Sequence, residues 1–274
     1  MTSFGPIANT NLSMSNRRIV LTIAGSDPSG GAGIQADLRV MQALGCYGIS
    51  VVTAITAQST TGVYKVWPLS PEQVEAQAKV LLSDIRPDAV KIGMLGDAEV
   101  GRAVLRILEQ YALSNVVADT IMLSSSGTSL YETDDLDTMR SIMQHATIVT
   151  PNLPEAERLL GYSSSNAEQT AREISRLCGG VGVLLKGGHT DGDVVADTLY
   201  INKDNTMHYF THSRIDTINT HGTGCTLSSA LACFLAQGHT AAEASERAVA
   251  FMHKALSDGR ALRLGSGHGP AFFG

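Results

Sequence analysis

The sequence predicts an α/β fold around a mainly parallel sheet, and three observations carry that prediction. Short aliphatic runs alternate with stretches of helical periodicity, the pattern left by strand–helix–strand units. Apolar residues make up 43% of the 274-residue chain but aromatics only 5%, so the core must be mostly aliphatic. Glycine is in excess at 27 residues, against about 19 expected at average usage, and several of these glycines cluster where strands end.

The elements follow in order. Ile19–Ala24 reads as the first strand, followed by a helix over 34–44. Ser70-Pro-Glu-Gln73 opens a helix over 71–84 with a capping box and a proline in its first turn. Ala89–Ile92, Val116–Ala118, Thr147–Val149 and Val181–Leu185 are further strands, interleaved with helices over 97–111, 134–144 and 166–177. Asn152-Leu-Pro-Glu155 has the same look of a capped helix start. Val194–Ile201 and Met207–Thr211, joined by Asn202-Lys-Asp-Asn205, form an antiparallel hairpin. Helices over 224–237 and 241–257 close the chain. Residues 1–16 carry no charge and no periodicity and read as a flexible leader; 17–274 reads as one domain, since no linker tract or repeat divides it.

Charge and composition exclude several classes. Twenty Lys and Arg against 26 Asp and Glu give a net charge of −6 without a basic run, which argues against nucleic-acid binding. No apolar stretch approaches the roughly 18 residues that span a bilayer. The aliphatic run after Arg17-Arg18 is too short for a secretory signal. Four cysteines without a CxxC pair do not make a disulfide framework, and the expected compartment is the cytoplasm.

Two glycine clusters carry the chemistry. Gly30-Gly-Ala-Gly33 follows the first strand and opens a helix. Its Gly31-x-Gly33-x-x-Ala36 formally matches a dinucleotide-binding turn, but that turn needs an acid about 20 residues on. Asp37 is the only acid between 34 and 70, which disfavours a dehydrogenase. The loop is then either a packing turn or a place where a small substrate approaches the backbone. Asn219-Thr-His-Gly-Thr-Gly-Cys225-Thr precedes an apolar helix. Gly222 and Gly224 would leave amides at its positive end open to a phosphoryl group. Cys225 at that end should have a lowered pKa and could take a proton from a substrate hydroxyl; the bland alternative is a small buried cysteine. No Gly-Lys dipeptide occurs, which excludes a Walker A loop.

Asp119, Asn152, Glu155 and Lys186 all fall at the ends of predicted strands, where open α/β sheets bind ligands. Two carboxylates and a lysine suit Mg²⁺ with a triphosphate, although Asp119 or Glu155 could equally cap a turn or helix. His208 and His212 share a strand face, but without a third ligand nearby the expectation is a solvated face.

These motifs together resemble the hydroxymethylpyrimidine/phosphomethylpyrimidine kinases of thiamin biosynthesis, within the ribokinase-like superfamily. The resemblance rests on Ile23-Ala-Gly-Ser-Asp-Pro-Ser-Gly-Gly-Ala-Gly-Ile-Gln-Ala-Asp37, Thr53-Ala-Ile-Thr-Ala-Gln58, Val90-Lys-Ile-Gly-Met94, Thr150-Pro-Asn-Leu-Pro-Glu155, Leu185-Lys-Gly-Gly-His189, His221-Gly-Thr-Gly-Cys-Thr and Leu264-Gly-Ser-Gly-His-Gly-Pro270. It spans about residues 19–270 and implies a three-layer sandwich with a small β flap from Thr53 to Trp67. It further implies ATP as donor, Mg²⁺ as helper and a homodimer. By position, Gln58 would bind the aminopyrimidine edge, with Gly25, Ala32, Asp37 and Met94 lining the ring pocket. Cys225 would stand where sugar kinases carry an aspartate base, and Gly222, Thr223 and Gly224 would belong to the anion hole. Lys186, Asp119, Asn152 and Thr223 would contact ATP, and Glu155 and Asp119 the metal.

Three departures from the family pattern stand out. Asp119-Thr-Ile-Met122 replaces Asp-Pro-Val-Met, Ser125-Ser-Gly-Thr128 lacks the usual lysine and aspartate, and Ile218 replaces a basic residue. The lost charge should bear most on the second phosphorylation. A pyridoxal kinase and a catalytically idle pyrimidine sensor are the rival readings.

Overall fold

The structure is a computed structural model that describes residues 17–121, 135–164, 166–188 and 192–273. The leader 1–16, the first residue of the helix predicted over 134–144, Met122, Ser125–Thr128 and His189 lie outside the described residues.

Among the described residues nine strands join in one sheet: β1 (Ile19–Ser26), β2 (Tyr47–Ser59), β3 (Gly62–Pro68), β4 (Ala89–Ile92), β5 (Val116–Ala118), β6 (Ile148–Val149), β7 (Gly182–Leu185), β8 (Val194–Ile201) and β9 (Thr206–Ser213). Their order is β3-β2-β1-β4-β5-β6-β7-β8-β9. β2, β1, β4, β5, β6 and β7 run parallel, and β3, β8 and β9 are added antiparallel at the two ends. The predicted strands are all present, with ends shifted by one or two residues. β2 is the addition. The reading of the residues offered no strand before Thr53, because serines and threonines interrupt the aliphatic run of β2. The flap is the distal half of β2 paired with β3.

Helices α1 (Gly33–Ala43), α7 (Thr223–Ala236) and α8 (Ala241–Gly259) cover one sheet face. The other face is covered by α2 (Pro71–Asp84), α3 (Ala98–Tyr111), α4 (Leu136–Gln144), α5 (Leu153–Leu160) and α6 (Ala167–Leu177). Alternation along the strands divides the core between the layers: Leu21, Ile23, Val90 and Ile92 point one way, Val20 and Ala89 the other. α7 is buried almost all round: its residues are apolar or small, and Ser228 and Ser229 are buried with hydrogen-bond partners. No helix among the described residues is long and apolar enough to cross a membrane.

This topology positions the site. The chain leaves β1 in opposite directions, first to β2 and later, through α2, to β4, so a crevice opens at their carboxyl ends. The loops after β1, β4, β5, β6 and β7 all end on that edge, and the N-terminus of α7 comes up beneath it.

Candidate active site

The loop after β1 is folded around Asp27, whose carboxylate accepts the amides of Ser29 and Ala32, both at 2.8 Å. Gly33 is held at φ +58, where a Cβ would come within 2.5 Å of Gly25 O. Gly31 serves a different purpose. A Cβ there would lie 2.2 Å from the His221 ring, and a Cβ on Gly222 would lie 1.9 Å from Gly31 O. The two glycine clusters are therefore pressed against each other, and each is bare because the other is there. His221 Nε2 lies 2.8 Å from Asp27 Oδ2 and 3.2 Å from Gln58 Nε2 on the flap. Hydrogen bonds from His221 and the loop outweigh burial and hold the Asp27 carboxyl below its usual value.

Gly222 caps α7 in the left-handed region at φ +75 and offers no side-chain cap. Thr223 N–H reaches back to Thr220 O at 3.4 Å, so the amides of Gly224 and Cys225 are the ones left for something else. Cys225 follows in the first turn and is buried. Contrary to the expectation of a lowered pKa, burial pushes its thiol up to about 11, against the pull of the Lys91 ammonium. The expectation counted the helix end and missed how completely the thiol is withdrawn from water.

Asp119, at the end of β5, is buried at the foot of α7. It accepts from Lys186 Nζ, Thr150 Oγ1 and Ser228 Oγ, each at 3.2 Å. Lys186 also lies 3.6 Å from Glu155 Oε2. The two carboxylates outweigh burial and keep the lysine more basic than usual. Burial in turn raises the Glu155 carboxyl despite Lys186. Asn152 and Glu155 form a capping box at the start of α5, at 2.8 and 2.9 Å. The cap occupies Asn152 Oδ1, so Nδ2 is the donor it can offer a ligand.

One cavity of about 610 Å³ runs along this edge. It is lined by Gly25, Ala32, Gln58, Met94, Asp119, Asn152, Glu155, Lys186, Gly222, Thr223, Gly224 and Cys225. Asp37 is the exception among the site residues named from sequence. It points from α1 into the core, fully buried, 2.9 Å from Lys91 Nζ and within reach of Thr22 and Ser229. Its helical position turns it toward the sheet, away from any ring pocket.

Sequence reasoning missed Asp27, His221 and Lys91. All three lay inside quoted motifs, and only contacts across the fold give them partners. The solvated histidine face is also corrected: His212 is largely covered, 3.5 Å from Asp197 and with its ring 4.7 Å from that of His253. Asp197, His212 and His253 line the same cavity. Among the described residues no cluster of His, Cys, Asp and Glu forms a ready-made metal site.

Comparison with known proteins gives a consistent result. The sequence pattern of the phosphomethylpyrimidine kinase family matches residues 27–272. A hydroxymethylpyrimidine/phosphomethylpyrimidine kinase from Escherichia coli is 45% identical over 254 residues, covering 91% of this chain and 95% of that one. A crystal structure of a phosphomethylpyrimidine kinase from Clostridium difficile superposes with a TM-score of 0.76 at 38% identity, covering 88% of this chain and 100% of that one. An ADP complex of Bacillus subtilis pyridoxal kinase superposes with a TM-score of 0.83 at 31% identity, covering 94% and 97%.

Proposed function

The chain belongs to the phosphomethylpyrimidine kinase family, and from that premise we propose that it moves the γ-phosphoryl group of ATP to a hydroxymethyl-aminopyrimidine and then to its monophosphate, in thiamin biosynthesis. The observation that carries the reading is one continuous cavity. Its lining takes in Gln58 and Met94, the first turn of α7, and Lys186 with Glu155.

In this reading the pyrimidine lies against Gly25, Ala32 and Met94, and Gln58 hydrogen-bonds its amino edge. The hydroxymethyl oxygen faces Cys225. The Gly222–Cys225 amides meet the oxygens of the phosphoryl group in flight, where developing charge is greatest. The substrate oxygen bonds to phosphorus, the bond to ADP breaks, and the hydroxyl proton passes to a Cys225 that has ionised. Such a transfer asks mainly for alignment and charge stabilisation.

Lys186 contacts the triphosphate and is held for that purpose by Asp119. Both Asp119 oxygens are engaged by Lys186, Thr150 and Ser228, so we assign it as the counter-charge of Lys186 rather than a metal ligand. The oxygen donors at this end fit Mg²⁺, which keeps most of its waters and needs few protein ligands. Lys186 beside both carboxylates fits a metal that arrives with the nucleotide. Glu155 is the residue that would face it, and bound Mg²⁺ would neutralise charge on the triphosphate. Asn152 Nδ2 and Thr223 complete the nucleotide side. A cytoplasmic homodimer remains part of the proposal; the exposed Ile55, Tyr64 and Trp67 of the flap are the surface to examine.

A coupled ADP-release assay with the purified chain tests the reading. ADP release with both pyrimidines is expected, and no turnover with either overturns it. The likeness to pyridoxal kinase favours a second reading, which gains if pyridoxal is the better substrate in the same assay.

A further inference from the structure

Lys91 is a full charge in the middle of the core. Val90 and Ile92 face the α2–α6 layer, so Lys91 between them faces α1 and α7. Its ammonium has no exposure and sits 3.0 and 2.9 Å from the two oxygens of Asp37. Asp37 accepts further hydrogen bonds from Thr22 Oγ1 at 2.6 Å and Ser229 Oγ at 2.8 Å. Ser229 stands one helical turn after Cys225, on the same face of α7. The ammonium also lies close to the backbone that leads into the cavity: a Cβ on Gly93 would come within 2.6 Å of Nζ, and Gly93 precedes the cavity residue Met94. A buried ion pair is a poor way to gain stability, since an apolar pair of similar volume often does better. Its place under Cys225 is a better reason for it.

We propose that Lys91 is a positioning residue for Cys225: its ammonium, fixed under the first turn of α7 by Asp37 and Ser229, supplies the positive charge that lets the enclosed thiol ionise. Lys91 touches neither substrate. Four charged groups act on the thiol: Lys91 from β4, Asp37 from α1, Asp119 after β5 and Lys186 after β7. Lys186 is shared by two carboxylates, Asp119 and Glu155. Lys91 faces one carboxylate, Asp37. Lys91 is therefore the less neutralised of the two cations. Burial sets the thiol high, and Lys91 is the strongest pull downward.

The catalytic consequence rests on the kinase reading, but the charge assignment does not. Cys225 alkylation by iodoacetamide, followed across pH by peptide mass spectrometry on the substrate-free chain, measures it directly. Lys91→Met should alkylate about ten-fold more slowly at about pH 9, a shift of about one pKa unit. Lys91→Arg should restore the profile, and Asp37→Asn, which keeps the cation and removes its counter-charge, should move it to lower pH. A folded Lys91→Met protein with an unchanged profile overturns the proposal. Should that variant not fold, an Asp37→Asn profile that stays in place or moves upward overturns it instead. In turnover assays Lys91→Met should lower kcat with little change in KM for ATP. Profile shifts in a chain that phosphorylates neither pyrimidine would refute the kinase reading and leave this assignment standing.

Discussion

His221 Nε2 lies 2.8 Å from Asp27 Oδ2 and 3.2 Å from Gln58 Nε2, so one ring nitrogen joins the β1 loop, the flap and the α7 entrance. The contacts compete. An Nε2 that carries a proton donates to Asp27 and then has no lone pair for the Gln58 amide. Asp27 holds the stronger claim, because a charge-assisted hydrogen bond outweighs a neutral one. The Gln58 amide is left seeking an acceptor, which an aminopyrimidine ring supplies. Gln58→Ala should therefore raise KM for the pyrimidine by about ten-fold, with KM for ATP unchanged. Steady-state kinetics with each substrate varied in turn would show the split; equal rises in both constants would contradict it.

The same contact gives a pH signature. The Asp27 carboxyl is held below its ordinary value, and an unfolded Asp titrates near about 3.9. Its stabilising contribution is thus fully present above that pH and is lost as pH falls through the lower folded value. The melting-temperature difference between wild type and Asp27→Asn should be constant above about pH 5 and shrink below about pH 4. A difference that widens in acid would show the sign to be wrong.

Gly222 and Gly224 stand two residues apart and should behave oppositely. A Cβ on Gly222 meets Gly31 O at 1.9 Å from a backbone held at φ +75. Gly222→Ala should cost more than about 2 kcal/mol in urea unfolding and abolish turnover. A Cβ on Gly224 meets only ordinary contacts, the nearest 3.4 Å away at Asp119. Gly224→Ala should keep or gain up to about 1 kcal/mol as a helical Gly→Ala change. It should still lose at least about ten-fold in kcat, because the methyl group fills the space the phosphoryl oxygens need.

Lys186 stands between two carboxylates, and its removal leaves both without a cation. Lys186→Met should lower kcat by about a hundred-fold or more and cost about 3 kcal/mol at neutral pH. Burial already raises the Glu155 carboxyl, so in the variant the native state would take up a proton before the unfolded chain does. Stability should then recover as pH falls through that raised value. Thermal melts of the variant from neutral to mildly acid pH would check the direction.

Much of this site was legible because its residues are local signals. Asn152 and Glu155 cap a helix three residues apart, and Gly222, Gly224 and Cys225 share one helical turn. Asp119 and Lys186 end strands that periodicity alone locates. Asp37 was misplaced because a motif's sequence does not say which side of a helix faces the core. Lys91 read as part of a strand motif, and nothing local marks a lysine as buried. The length of β2 was hidden by its polar interruptions, which the sheet tolerates because neighbouring strands pair with it on both sides.

By itself the sequence determined the α/β class, the order of the elements and the family, since periodicity, caps and motif order are properties of short windows. It also determined which loops carry glycine. Only the tertiary structure decided what those glycines face, that Asp27, His221 and Gln58 meet, and that a buried Lys91–Asp37 pair lies under the thiol. These are contacts between segments up to 194 residues apart. Their chemistry comes from charge, burial and distance together, and none of the three exists before the chain has folded.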